Sequence, residues 1–329
     1  VARGEERAPE PWHGEHRPVL VRETLELLAP ERGGLFVDAT VGLGGHAAAL
    51  LERAAGAEVL GVDRDPQALL RAAGRLEEFG PRARLTQGNF HQLETLLGEL
   101  GIGPGSLSGV LADLGVSSLQ LDVAERGFSF RRDGPLDMRM GPGGRTAADI
   151  VNGSSEGELE RIFRDYGEEW QARRIARAIG RARSEEPIAT TGRLKDVIAR
   201  AKSGGAGRGG RGDRDREGRV DPATRVFQAL RIEVNEELSG LEGFIEQTVR
   251  LLDHGGRLVI ISYHSLEDRI VKNSLRDLAR GQIDLVTGRP RSESQLIEVL
   301  TRKPTRPSDE EVEWNPRSRS ARLRAARRL

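Results

Sequence analysis

Four short apolar runs, separated by segments of helical pattern, constrain the first third of this chain more than any other feature. Leu35 to Asp38, Glu58 to Asp63, Ala83 to Thr86 and Leu107 to Asp113 each have the length of a buried strand. Between them lie a helical stretch from Ala47 to Arg53 and Pro66 at a position where a helix would begin. Strands that alternate with helices predict βαβ units and a parallel sheet. The 329 residues are 37% hydrophobic and 31% charged. That is the balance of a globular protein, with roughly 150 residues for each of about two domains.

The alternation then stops. From Gly115 to Asp221 no strand pattern is evident. Leu159, Ile162, Phe163 and Tyr166 fall at i, i+3, i+4 and i+7, one face of an amphipathic helix. Ala172, Ile175, Ala176 and Ile179 repeat the pattern, and Leu194, Val197, Ile198 and Ala201 form a shorter copy. Ser203 to Arg219 is glycine, arginine and aspartate with almost nothing to place in a core, which predicts a mobile loop. A long helix is expected from Thr224, with Phe227, Leu230, Val234, Leu238 and Leu241 on one side. Gly255-Gly256 closes the helical stretch that reaches Leu252, and Arg257 to Ser262 is a further buried strand. The fold class predicted is α/β: a discontinuous sheet domain over 16–115 and 222–329, an inserted all-helical domain over 116–221, and a flexible N-terminus over 1–15.

The chemistry centres on Asp38-Ala-Thr-Val-Gly-Leu-Gly-Gly-His46. Glycines between a strand and a helix let the backbone turn sharply and approach a ligand, and the helix start offers free N–H groups. Asp63 ends the next strand, where a carboxylate can accept from both hydroxyls of a ribose. These features fit a dinucleotide or S-adenosylmethionine. Asp38, expected at the mouth of the pocket, favours the latter, because a carboxylate attracts an ammonium and a sulfonium and repels a pyrophosphate. Asp113, in Asp113-Leu-Gly-Val-Ser-Ser118, puts a second acid at the carboxyl edge of the sheet. Against this stands the plainer reading that both acids cap turns. Phe90 suits either adenine stacking or the core.

Other classes are narrowed by absence. The sequence has no cysteine, so thiolate chemistry and cysteine metal sites are excluded. The six histidines are scattered, without metal-ligand spacing. No run approaches the roughly 20 apolar residues of a membrane span. Val1 to Pro18 lacks an apolar signal core, so a cytoplasmic location is expected. Lysine plus arginine equal aspartate plus glutamate at 51 each, so any nucleic-acid contact must rest on local basic surface. Arg161, Arg164, Arg173, Arg174, Arg177 and Arg181 offer one such surface, though nearby acids also allow an ordinary salt-bridged face. Arg317, Arg319, Arg322, Arg324, Arg327 and Arg328 form an acid-free C-terminal run that reads as a solvated tail or a basic patch.

Taken in order, the two aspartate motifs above, Gln120-Leu-Asp122, Glu125-Arg-Gly-Phe-Ser-Phe130, Pro135-Leu-Asp-Met-Arg-Met140, Tyr166-Gly-Glu-Glu169, Pro222-Ala-Thr-Arg-Val-Phe-Gln228, Arg231, Asn235, Ser262-Tyr-His-Ser-Leu-Glu-Asp-Arg269 and Asn315-Pro-Arg-Ser-Arg-Ser320 resemble the bacterial family of ribosomal RNA small-subunit methyltransferase H, from about His16 onward. The resemblance implies a class I (Rossmann-like) methyltransferase sheet with an inserted helical substrate domain. It implies S-adenosylmethionine as cofactor, without a metal, and contacts to it at Gly44, Gly45, His46, Asp63, Phe90, Asp113 and Gln120. It implies N4-methylation of a cytidine in the decoding region of 16S rRNA, within the assembled small subunit, and leaves a homodimer open. Asp221 stands where the family commonly has histidine, and Tyr263 where phenylalanine is more usual.

Direct displacement by the exocyclic amine of cytosine uses a poor nucleophile. Alignment with the C–S bond can supply roughly 7–11 kcal/mol, and an acceptor for the amine hydrogens helps further. Asp113 is the candidate for that catalytic role or for a cofactor contact. His264 is expected to be structural rather than to orient substrate, and Phe128 and Phe130 suit burial as well as base stacking. The rival readings are a nicotinamide-dependent oxidoreductase and a non-catalytic ribosome-assembly factor.

Overall fold

The computed structural model describes residues 18–116, 118–203, 221–281 and 294–329. The expected flexible N-terminus over 1–15 and nearly all of the glycine-arginine loop lie outside them. Seven strands form one sheet: β1 (Gly34–Asp38), β2 (Ala57–Asp63), β3 (Ala83–Gln87), β4 (Leu107–Asp113), β5 (Leu252–Ser262), β6 (Ile297–Val299) and β7 (Arg322–Arg328). Their spatial order is β3-β2-β1-β4-β5-β7-β6. β1 to β5 pair in parallel, and β7 runs antiparallel between β5 and β6.

Side-chain alternation explains why helices cover both faces. Val37, Leu60, Val110, Leu258 and Ile260 point into one apolar cluster with Leu93, Leu97, Phe244, Ile245, Val249, Val271 and Leu275. Their neighbours Phe36, Val59, Leu111, Val259 and Ile261 point into the other, with Leu28, Leu50, Leu51, Ala72 and Leu76. The helices Leu93–Glu99, Leu241–Leu251 and Ser265–Arg280 thus lie on one side, and Val21–Leu28, Gly45–Arg53 and Pro66–Leu76 on the other. The chain crosses between β1 and β4, where strand order reverses. Connections leave the two strands in opposite directions there and open a crevice at their carboxyl ends.

A third apolar cluster is built from helices Ala147–Gly153, Glu156–Asp165, Ala172–Glu185, Thr191–Ser203 and Thr224–Asn235. Two of these start with a reciprocal capping box, Thr146 with Asp149 and Ser155 with Glu158. Ala223, Val226, Phe227, Ala229 and Leu230 belong to this cluster. The packing therefore puts the helix after residue 222 with the helical layer, although the sequence division assigns it to the sheet. The long helix expected from Thr224 through Leu241 is two helices, because Glu236 takes a left-handed conformation (φ 51°) and ends the first. β5 begins at Leu252, ahead of the glycine pair expected to precede it.

The C-terminal arginines are neither a tail nor a free basic patch. Arg322, Arg324, Arg327 and Arg328 form part of β7, inside the sheet, while Arg317 and Arg319 lie in the turn Pro316–Ser320 before it, where Arg317 pairs with Asp122 at 2.5 Å. Leu323 and Ala325 face one apolar cluster and Ala326 the other. Arg324, buried among them, donates from Nε to Asp268 Oδ1 at 2.6 Å. Phe128 and Phe130 pack in the helical cluster, Phe130 edge-on to Phe227 at 4.7 Å between centroids. Among the described residues no helix is long and apolar enough to cross a membrane.

Candidate active site

The crevice at the β1–β4 switch holds a cavity of about 260 Å³. Its floor is the glycine turn. Gly44 has φ 79° and precedes the first turn of helix Gly45–Arg53, whose amides receive no side-chain cap. A β-carbon on Gly45 would lie 2.5 Å from Pro18 Cγ, so only glycine lets Pro18 pack against the turn. Gly45, His46, Asp63, Phe90, Asp113 and Gln120 all line the cavity. Gly44 does not; its α-carbon is turned towards Ala72 and Leu76, and its part is to shape the turn.

Asp63 closes β2 with both carboxylate oxygens engaged, Oδ2 by the Gly42 amide and Oδ1 by the Asp65 amide, each at 2.9 Å. Burial pushes its pKa up, and the two amide bonds oppose that. Each oxygen keeps a lone pair for a further donor. Asp65, buried at the start of helix Pro66–Leu76, accepts from Gln120 Nε2 at 3.3 Å and lies 2.8 Å from Arg126 Nη1. Gln120 is thereby fixed against the cavity wall. Phe90 stands edge-on to Phe244 at 5.0 Å and to His91 at 4.4 Å, which anchors its ring while leaving it part of the lining. Burial, then the nearby Arg64, pushes the His91 pKa down to about 4, so that ring is neutral.

Asp113 ends β4. Its amide donates to Thr40 Oγ1 at 2.7 Å, and its Oδ1 accepts from the Tyr263 hydroxyl at 2.8 Å. Burial first, and the Asp113 charge second, raise the Tyr263 pKa well above its usual 10, so the hydroxyl stays a donor. Oδ2 lies 3.7 Å from His46 Nε2, beyond hydrogen-bond length. Neither nitrogen of the buried His46 has a hydrogen-bond partner among the described residues.

Asp38 is not at the cavity mouth, where the sequence reading put it. It is only 4% exposed and lies behind the lining, with Oδ1 accepting from the Thr40 amide at 3.2 Å. Burial pushes its pKa up to about 7, against the pull of His46 and the Thr40 amide. Asp63 and Asp113 thus line one small volume with Asp38 buried behind it, and burial disfavours the charged forms of Asp38 and Asp63.

The sequence reading gave no role to the far wall. Arg231 grips Glu237 through Nε at 2.8 Å and Nη2 at 2.9 Å, and both line the cavity with Glu267, Asn235 and Tyr263. His264 caps helix Ser265–Arg280 through Nδ1, and its Nε2 lies 3.1 Å from Glu267 Oε1, so its placement is structural. Burial raises the Glu267 pKa, but His264 and Arg231 outweigh it and the net direction is down. Glu237, His264 and Glu267 bring ligand-type atoms within 4.8 Å of one another, the spacing a cation would need. Arg231 already supplies positive charge to that cluster. The signal for this wall was the helix-spaced Arg231 and Asn235, but only folding brings Glu237 and Glu267 to them.

A sheet ordered 3-2-1-4-5-7-6, with one antiparallel strand and an acid-lined cavity at the switch point, defines a class I, Rossmann-like methyltransferase fold. The chain belongs to the MraW methylase family, whose profile matches residues 13–329. It is similar to proteins named ribosomal RNA small subunit methyltransferase H. The one from Pelobacter propionicus is 48% identical over 325 residues, 96% of this chain and 99% of that one. The one from Geotalea uraniireducens is 49% identical over 319 residues, 95% and 98% of the two chains. The one from Syntrophus aciditrophicus is 48% identical over 326 residues, 98% and 100% of the two.

Proposed function

We propose that this chain transfers a methyl group from S-adenosylmethionine to the exocyclic N4 of a cytidine in the decoding region of 16S rRNA, acting on the assembled small subunit. The names of the relatives support rRNA as the substrate. The observation that carries the reading is the pair of carboxylates, Asp63 and Asp113, lining one cavity at the sheet switch, with a third, Asp38, buried behind the lining. A pyrophosphate would meet repulsion there, which disfavours the oxidoreductase alternative. The unpartnered nitrogens of His46 and the free amides of helix Gly45–Arg53 fit a ligand bearing both polar and charged groups.

S-adenosylmethionine supplies the methyl group on a sulfonium. Asp63 accepts from the ribose hydroxyls, and Phe90 and Gln120 bound the adenine. As the N4–methyl bond forms, the methyl–sulfur bond would break and leave the neutral thioether S-adenosylhomocysteine; Asp113 would accept a hydrogen bond from the cytosine amine, which holds electron density on that nitrogen, and then the proton it loses. Tyr263 fixes the Asp113 carboxylate by occupying Oδ1, so that Oδ2 faces the cavity. Residues 116–221 with the helix after them form the substrate-recognition part, and the sheet with its remaining helices binds the cofactor.

Titration tests the cofactor half. S-adenosylmethionine should bind, NADH should not, and Asp63→Ala should weaken S-adenosylmethionine at least about 100-fold, the value of one to two hydrogen bonds to a charged group. Normal binding by Asp63→Ala would refute the ribose placement. For the substrate half, a strain deleted for the gene should lack one N4-methyl group in its small-subunit RNA and regain it when this chain is expressed. A methyl group regained at ring carbon C5 would overturn the amine chemistry.

A further inference from the structure

Helix Ala172–Glu185 buries Ala172, Ile175, Ala176 and Ile179 in the helical core. Its outer side carries Arg173, Arg177 and Arg181 in a row at i+4 spacing, with Arg174 beside them, along about 12 Å of helix axis. These four arginines, Trp170 and Lys202 line an open groove of about 740 Å³, away from the carboxylate cavity. Trp170 is 80% exposed, so a large flat apolar ring faces water at the head of the row.

The pairing of the basic residues separates this face from the rest of the helical layer. Arg161 lies within reach of Glu233, and Arg164 of Glu160 and Asp165. Lys202 is held by Glu169 at 2.5 Å. Among the described residues no carboxylate pairs with the guanidinium groups of Arg173, Arg174, Arg177 or Arg181. Like charges three and four residues apart weaken a helix, so helix stability does not account for the row. The buried Oε1 of Gln171, also in the groove, has no hydrogen-bond partner among the described residues.

A polyanion with an accessible aromatic face matches this surface. Arginines take phosphates, and an exposed indole takes an unstacked base. A duplex offers phosphates but keeps its bases stacked inside, out of reach of Trp170. We propose that the groove docks a single-stranded segment of the substrate RNA, with phosphates on the arginine row and one base stacked on Trp170. The proposal rests on the rRNA methyltransferase reading and adds to it the face that holds the strand outside the reaction cavity.

The test uses the full chain with Trp12→Phe and Trp314→Phe, which leaves Trp170 as the sole tryptophan. A 12-nucleotide oligocytidylate should quench its fluorescence to saturation. In the wild-type background, Trp170→Ala should weaken that oligonucleotide roughly 5- to 150-fold, the range for one stacked base. Arg173→Glu with Arg177→Glu should weaken it at least about tenfold and reduce the log–log salt slope by about 1.4, from roughly 0.7 per phosphate contact. All these side chains point outward, so the thermal midpoint should not fall and S-adenosylmethionine affinity should not move. Unchanged oligonucleotide affinity and salt slope in the double variant would overturn the proposal. Equal binding of a 12-base-pair RNA duplex without quenching would also overturn it. Methyl transfer to small ribosomal subunits separates the two levels. If wild-type protein labels the RNA and the double variant does so with the same kcat/KM, the docking surface alone is wrong. If wild-type protein labels no RNA, the methyltransferase reading falls, and the docked strand is not its substrate.

Discussion

Replacing Asp38 by asparagine should make the ligand-free protein more stable at pH 8 and leave it little changed at pH 4. The Asp38 carboxyl is buried behind the cavity lining and its pKa is pushed up to about 7 from an ordinary 3.8. The folded state therefore holds this proton more tightly than the unfolded chain by about three pH units, or about 4 kcal/mol at 1.36 kcal/mol per unit. The sign follows from linkage. A raised folded-state pKa gives stability that is complete below about pH 4 and is lost as pH rises through 7. Asparagine keeps the neutral shape and an oxygen for the Thr40 amide, which now bonds Oδ1 at 3.2 Å, but does not titrate. Urea unfolding of both proteins across this range should show the difference, variant minus wild type, growing by about 4 kcal/mol. A cationic ligand reverses the preference, because it stabilises the ionised carboxylate. Between pH 6 and pH 8 the ionised fraction for a pKa near 7 rises about tenfold, so wild-type affinity for S-adenosylmethionine should rise by the same factor. Asp38→Asn should bind more weakly, with no such dependence. A stability difference that does not vary with pH would refute the placement of a proton on Asp38.

Further outcomes follow from other contacts. Tyr263→Phe removes the hydroxyl 2.8 Å from Asp113 Oδ1 but restores the residue more usual in the family, and should lower kcat no more than about threefold with cofactor Kd equally little changed; a loss well beyond about tenfold in single-turnover assays would show that this chain's Asp113 depends on the hydroxyl. Asn235 accepts from the Met140 amide and donates to the Met138 and Arg231 carbonyls, at 2.8, 2.8 and 2.9 Å. Asn235→Ala should cost about 3 kcal/mol in urea unfolding, and a loss below 1 kcal/mol would mean water replaces the side chain. Arg324→Met leaves Asp268, among the described residues, with Arg322 alone, at 3.4 Å, and should also cost about 3 kcal/mol, the low end for breaking a buried pair. No loss there would show that β7 is indifferent to its buried charge.

The strands most legible in the sequence are those buried on both faces, although the edge strand β3, only half-buried, was legible too by its place between two helical segments. Leu107 to Asp113 and Glu58 to Asp63 read as apolar runs because helices cover both sides of a central parallel strand. β7 was illegible for the opposite reason: its sequence, Arg-Leu-Arg-Ala-Ala-Arg-Arg, is mostly charge, and only Asp268 on a distant helix makes Arg324 acceptable in a sheet. The break at Glu236 was hidden because a left-handed residue carries no apolar signal, and the periodicity continued across it. In the cavity, the residues next to strand ends could be read, since Asp63 and Asp113 terminate apolar runs. Asp38 was read as an acid but misplaced at the mouth, because sequence gives the end of a strand and not the direction of its last side chain. The wall of Arg231, Glu237, Tyr263 and Glu267 comes from segments after the helical insertion, and their convergence exists only in the fold.

The most direct test of the central claim is transfer of a labelled methyl group. The full chain would be incubated with methyl-labelled S-adenosylmethionine and small ribosomal subunits from a strain lacking the corresponding enzyme, and the RNA digested to nucleosides. Label in N4-methylcytidine, absent with Asp63→Ala, is the result expected from an acid-lined cavity that binds the cofactor and presents Asp113 to a cytosine amine. Label in another nucleoside, or none from a protein that binds S-adenosylmethionine, would contradict the substrate assignment; no label and no binding would contradict the account as a whole.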